Sequence, residues 1–184
     1  MIALKRGGYK TLTTASDGAS QRLRDMVARK AQERHLHRAA ELVREHKLER
    51  LKLYMMVGLP GEDHTDIDEL IKFTSDLSRI APLSLGIAPF VSKRNTPLDG
   101  LPFAGIKVVE ERLDQLRKGV KGRVDLRATS SKWAWIEWVL AQGGRAEGLA
   151  VMDVAKAGGS FSAWKKAFEA MPDSRAKRGL RVVA

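Results

Sequence analysis

The apolar positions of the chain switch several times between the two-residue repeat of a strand and the three-to-four-residue repeat of a helix. Thr11–Ser16 (TLTTAS) is rich in β-branched residues, follows a Gly-Gly turn and runs into Asp17-Gly18, which predicts a strand closed by a turn. Leu23, Met26 and Val27, then Leu36, Ala39, Ala40 and Val43, recur at helical spacing and predict two helices joined near residues 31–34. Leu51–Val57 (LKLYMMV) predicts the strongest strand, and its apolar density predicts burial on both faces. Gly58-Leu59-Pro60-Gly61 forbids its continuation. Asp63 or Thr65 can cap the next helix, which carries Ile67, Leu70, Ile71, Thr74 and Leu77 on one face. Leu83–Phe90 (LSLGIAPF) predicts a third strand, 91–103 a loop, Ile106–Val120 a helix and Arg123–Arg127 a half-buried strand. Beyond Ser130 the pattern predicts three short helices, separated by Gly143-Gly144 and Gly158-Gly159.

Strands alternating with helices at this spacing call for right-handed parallel crossovers, the unit of barrels and doubly wound sheets. A complete eight-stranded barrel needs about 250 residues, and the chain has 184. The expected fold class is α/β: a partial (β/α) TIM-type barrel of about three to four βα units with a helical C-terminal extension. The expected division is residues 1–103 as a half barrel, 104–171 as the last βα unit and the extension, and 172–184 as a basic tail.

Composition narrows the chemistry. There is no cysteine, which excludes disulfides, thiol nucleophiles, cysteine-held zinc and a self-contained iron–sulfur cluster. A formal net charge of +11 favours anionic partners without specifying one. No apolar run is long enough to span a bilayer and the N-terminus lacks a secretory signal, so the expectation is a cytoplasmic protein that does not meet the membrane. His35 and His37 are two apart and do not share a helix face, so no metal site is expected.

Three segments carry a resemblance. Lys52–Val57 followed by Gly58-Leu59-Pro60-Gly61-Glu62-Asp63 is similar to the GLPGE(T)xxD strand-turn of radical S-adenosylmethionine enzymes. Thr11–Ser16 with Asp17-Gly18-Ala19-Ser20 and Gln21-Arg22-Leu23-Arg24 resembles that family's strand, polar turn and ERLR. Pro89–Pro97 (PFVSKRNTP) resembles the PFxPKxxTP strand end of uncharacterised cobalamin-binding members. The chain departs from the pattern at Ser16, Asp17 and Ala28, where relatives often have Pro, Glu and Asn, and in Leu98-Asp99-Gly100.

The resemblance, which covers about residues 1–170, implies the C-terminal part of such an enzyme, starting about halfway round the barrel. The CxxxCxxC loop that holds a [4Fe–4S] cluster does not appear, so the cluster is expected in the full-length enzyme only, and the chain alone is not expected to turn over. It implies S-adenosylmethionine as cofactor and leaves open cobalamin in an upstream domain. It further implies that Ser16 and Asp17 contact the ribose or methionine part. The strand end at Tyr54, Met56 and Gly58 then faces the adenine, with Ala88 and Phe90 as another adenine-side wall. Ser16 and Asp17 equally suit a turn or helix cap before Gln21, and Met55 and Met56 suit plain core. The open sheet edges call for a missing N-terminal half, a second chain or a homo-oligomer to cover them. Two alternatives stand beside this reading: a truncated remnant, and a nucleic-acid-binding module built on the net charge and on Trp133, Trp135, Trp138 and Trp164. Helical spacing favours ordinary packing for the tryptophans.

Overall fold

A computed structural model describes residues 1–171; the basic tail expected at 172–184 lies outside the described residues. In chain order the elements are α1 (Ile2–Arg6), β1 (Thr11–Asp17), α2 (Gln21–Met26), α3 (Glu33–Glu45), β2 (Arg50–Val57), α4 (His64–Ile80), β3 (Leu83–Pro89), α5 (Ile106–Val120), β4 (Asp125–Ala128), α6 (Ser131–Gln142), α7 (Arg145–Lys156) and α8 (Phe161–Glu169). The short α1 buries no residue, so the hydrophobic pattern carries no mark of it.

The strands form one parallel sheet in the order β1-β2-β3-β4, with helices in the connections. Neighbours in sequence are neighbours in space, without the reversal of strand order that marks a doubly wound sheet. The fold is therefore the α/β class the pattern called for, consistent with part of a βα barrel followed by C-terminal helices. The described residues form two compact units, one from residues 1–88 and 111–129, the other from 89–110 and 130–171.

In the first unit β2 alternates sharply. Leu51, Leu53, Met55 and Val57 are buried, Lys52 and Met56 are half-buried, and Tyr54 is 44% exposed. The expected burial of both faces does not hold. Leu36, Ala40 and Val43 of α3, Ile67, Leu70 and Leu77 of α4, and Leu113 and Leu116 of α5 supply buried apolar surface, and same-handed crossovers deliver helices to one side of the sheet. Lys52, Tyr54 and Met56 have long apolar bodies with polar or polarisable tips, which is why the run read as uniformly apolar.

Caps fix the helix starts. The Ser20 hydroxyl accepts from Leu23 N at 3.3 Å. Asp63 settles the choice with Thr65: its carboxylate accepts from Thr65 N at 2.8 Å and Asp66 N at 3.3 Å. The Thr65 hydroxyl and these amides hold Asp63 below the usual carboxylate range.

In the second unit α6 is the core. Trp135 is fully buried, edge-on to Phe161 and Phe168 at 5.7 and 5.8 Å. Buried Trp138 donates from Nε1 to Leu101 O at 3.1 Å. Gln142 donates to Ser92 O at 3.1 Å and accepts from Gly100 N at 3.2 Å. The loop after β3 is thereby anchored along α6. Among the described residues no helix is long and apolar enough to cross a membrane.

Candidate functional site

The C-terminal ends of β1 and β2 carry the residues that the motifs single out. At the end of β1 the pairing with β2 slips between Ala15 and Asp17, and Gly18 N donates to Ser16 O at 2.8 Å, closing a tight turn. Asp17 sits at its apex with φ 61°, a conformation Asp tolerates better than most residues. Its carboxylate is one-third exposed and pairs with Arg29 Nε at 3.1 Å. Ser16 is fully buried, and its hydroxyl donates to Gly18 O at 3.4 Å. Of the two turn residues, Asp17 presents polar atoms to solvent and Ser16 does not. The cap of α2 belongs to neither; it is Ser20.

Gly18 is fixed by sterics. A Cβ there would lie 2.6 Å from Arg24 N and 2.8 Å from Leu23 C, so only glycine lets the turn lie against α2.

At the end of β2, Gly58 has φ 80° and Gly61 φ 70°, both in the region that favours glycine. Gly58 N donates to Glu62 Oε1 at 2.7 Å, so the loop is stitched from inside by its own glutamate. The Glu62 side chain is 1% exposed, and its Oε2 has no hydrogen-bond partner among the described residues. Arg112 Nε, 4.0 Å from Glu62 Oε1, likewise has no hydrogen-bond partner among the described residues, while Arg112 Nη1 lies 2.6 Å from His64 Nδ1. Burial pushes the Glu62 carboxyl up to about 7, against the Gly58 amide and the Arg112 charge, which pull it down.

Asp66 joins the two strand ends. Buried to 3% exposure, it accepts from the Ser20 hydroxyl at 2.6 Å and Asp63 N at 2.9 Å and pairs with Arg22. Arg22 also donates to Gly61 O at 3.0 Å. Arg24, 1% exposed, reaches Gly18 O, Ala19 O and Glu33. Gln21-Arg22-Leu23-Arg24 and GLPGE-x-x-x-D are about 40 residues apart in sequence and form one hydrogen-bonded unit in space.

Tyr54 and Met56 lie on the face of the sheet that the described residues leave partly accessible, and Ala88 of β3 is exposed. A Cβ at Gly86 would sit 2.6 Å from the Tyr54 ring, so the ring lies against the bare backbone of β3. Phe90 is 4% exposed and belongs to the second unit; it is a core residue there. The structure thus gathers Tyr54, Met56 and Ala88 on the open face, with Asp17 and Gly58 at the strand ends. It withdraws Ser16, Gly58 and Phe90 from solvent.

Glu62, Asp66, Arg22, Arg24 and Arg112 were not singled out by the sequence reading. Asp66 and the two arginines stood inside the quoted motifs and could have been found there. Arg112 had no local signal, since it reaches the loop from α5. His35 Nδ1 accepts from Gln32 N at 3.2 Å and His37 lies edge-on to Phe73. Among the described residues no group of three or more His, Cys, Asp or Glu is placed to hold a metal. Of the tryptophans, Trp135 and Trp138 are core, and Trp133 is 53% exposed. A groove of about 680 Å³ runs along α2, α3 and α4; its carboxylates Asp25 and Glu69 already accept from Gln21, and Asp76 from Arg79.

No protein-family model matches the chain, and no solved structure does. An uncharacterized protein of Methanocaldococcus jannaschii is 35% identical over 91 residues, 49% of this chain. Those 91 matched residues span 20% of the relative's length.

Proposed function

We propose that the chain is the cofactor-side part of a radical S-adenosylmethionine enzyme barrel. The observation that carries this reading is the Asp66 junction. Two segments with family-like motifs, each at the C-terminal end of a parallel strand, are bonded into one loop platform where barrel sites gather.

The residues present suit the adenosyl part of the cofactor. The Asp17 carboxylate can accept from sugar hydroxyls or from an ammonium. Met56 and Ala88 offer an accessible, mainly apolar wall for a flat base. When bound and reductively cleaved, S-adenosylmethionine supplies a carbon radical that abstracts hydrogen from a substrate. The residues do not suit the iron–sulfur cluster, because the chain has no cysteine. In this reading the cluster, and cobalamin if the enzyme uses it, come from polypeptide outside these 184 residues. That polypeptide, or a second copy of the chain, covers the β1 and β4 edges.

Equilibrium dialysis with labelled S-adenosylmethionine tests the proposal. Saturable millimolar-range binding that disappears in Ala88→Arg, a substitution at an exposed position, supports it. Absence of binding, or equal binding by the variant, overturns it. Incubation of the chain alone with iron, sulfide and reductant is expected to yield no 5′-deoxyadenosine.

A further inference from the structure

Parallel sheets are normally covered on both faces, yet the second face of this one carries charge along its length. Arg50 of β2 and Arg127 of β4 lie 3.4 and 3.1 Å from the same oxygen of Asp125, which also accepts from the Ser84 hydroxyl at 3.2 Å. One carboxylate therefore serves two guanidinium groups.

One alternation further along β2, Lys52 has no carboxylate partner among the described residues; its ammonium stands over the Tyr54 ring, 4.8 Å from the centroid. Tyr54 in turn rests on Gly86, where a Cβ would meet the ring at 2.6 Å. A lysine in the middle of a central strand, on a face that a completed barrel would enclose, would become a desolvated cation without a counter-charge. Such a cation is strongly disfavoured unless an anion enters with it.

We propose that Lys52 and Tyr54, seated on Gly86, bind a small planar anion, a ring-bearing carboxylate or phosphate, as the substrate of this face. The ammonium takes the charged group, and the tyrosine ring takes the flat body by offset or edge contact. In the Arg50–Asp125–Arg127 cluster, Arg50 and Asp125 start β2 and β4 and Arg127 is in register with Gly86, so the cluster adds positive potential beside the platform. The proposal rests on reading the uncovered face as the ligand side, and it names the class of molecule that side receives.

Protein-observed NMR tests it with four probes: benzoate, phenyl phosphate, benzyl alcohol and acetate. The chain has two tyrosines, so a Tyr9→Phe background leaves the Tyr54 ring signals unambiguous. Benzoate or phenyl phosphate is expected to shift them saturably, and the tighter of the two names the charged group. Benzyl alcohol and acetate should bind about five-fold more weakly, as should either aromatic anion to Lys52→Met. Lys52→Arg keeps the charge and should keep binding within about two-fold.

Failure of both aromatic anions to shift Tyr54, or equal losses in Lys52→Met and Lys52→Arg, overturns the proposal. A parallel titration with S-adenosylhomocysteine, read at Gly58 and Ala88, separates this failure from failure of the cofactor reading.

Discussion

The two faces of the sheet obey different rules. On the covered face Leu53 and Leu51 are fully buried and Met55 and Val57 nearly so, and helices dictate each choice. On the other face Lys52, Tyr54 and Met56 alternate with them, half-buried or exposed. Hydrophobic burial explains the first set and cannot explain the second, because Tyr54 on a central strand gains little from water exposure. The contrast teaches that one strand can serve stability and recognition at once, at adjacent residues.

Breaking the covered face should cost most. Leu53→Ala removes a fully buried side chain and is expected to lower stability by about 2–5 kcal/mol. Tyr54→Ala, one residue away, should change it by about 1 kcal/mol or less. Denaturant melts of the two variants measure the contrast, and equal losses would erase it.

The next largest effect concerns Glu62. Its carboxyl is raised to about 7 in the fold, against about 4.3 unfolded. Between those values the folded state holds the extra proton, so the native chain loses stability as pH rises through that window and levels off above about 7. Glu62→Gln keeps an acceptor for Gly58 N and has no proton to lose. Wild type and variant should therefore be close in stability near pH 4, below both values. By about pH 8 the variant should lead by ~3 kcal/mol. Paired melts across pH check the sign; a lead for the wild type at high pH would contradict the burial argument.

A smaller effect belongs to the turn beyond α2. Ala28 has φ 54°, where a Cβ is strained and Asn is tolerated. Ala28→Asn should stabilise by about 0.5–1 kcal/mol, read as a raised melting temperature. Smallest of all, Lys52→Met on the open face should shift stability by about 0.5 kcal/mol or less.

Much of the architecture was legible in the sequence, because each strand and helix from β1 to α8 has its own periodicity and its own breaker, such as Gly58-Leu59-Pro60-Gly61. The sidedness of β2 was not legible. Tyr and Met count as apolar in any run, and only the placement of helices decides which alternate residues are covered. The site was legible at its backbone positions: Gly58 is located by its turn, Asp17 by its place before Gly18. The burial of Ser16 was not legible, because alternation alone does not foresee the slip in pairing after Ala15. Arg112 and its contact with Glu62 join segments some 50 residues apart, and no local pattern records such a meeting. Ala28 is a useful counter-case, since a departure from the family pattern noticed as a letter became a backbone conformation.

The most direct test of the account is an amide chemical-shift map of the chain titrated with S-adenosylhomocysteine. The account predicts saturable shifts at Asp17, Met56, Gly58 and Ala88, with the buried residues of α3 and α4 unmoved. Shifts confined to the helical side, or none at several millimolar, would contradict it.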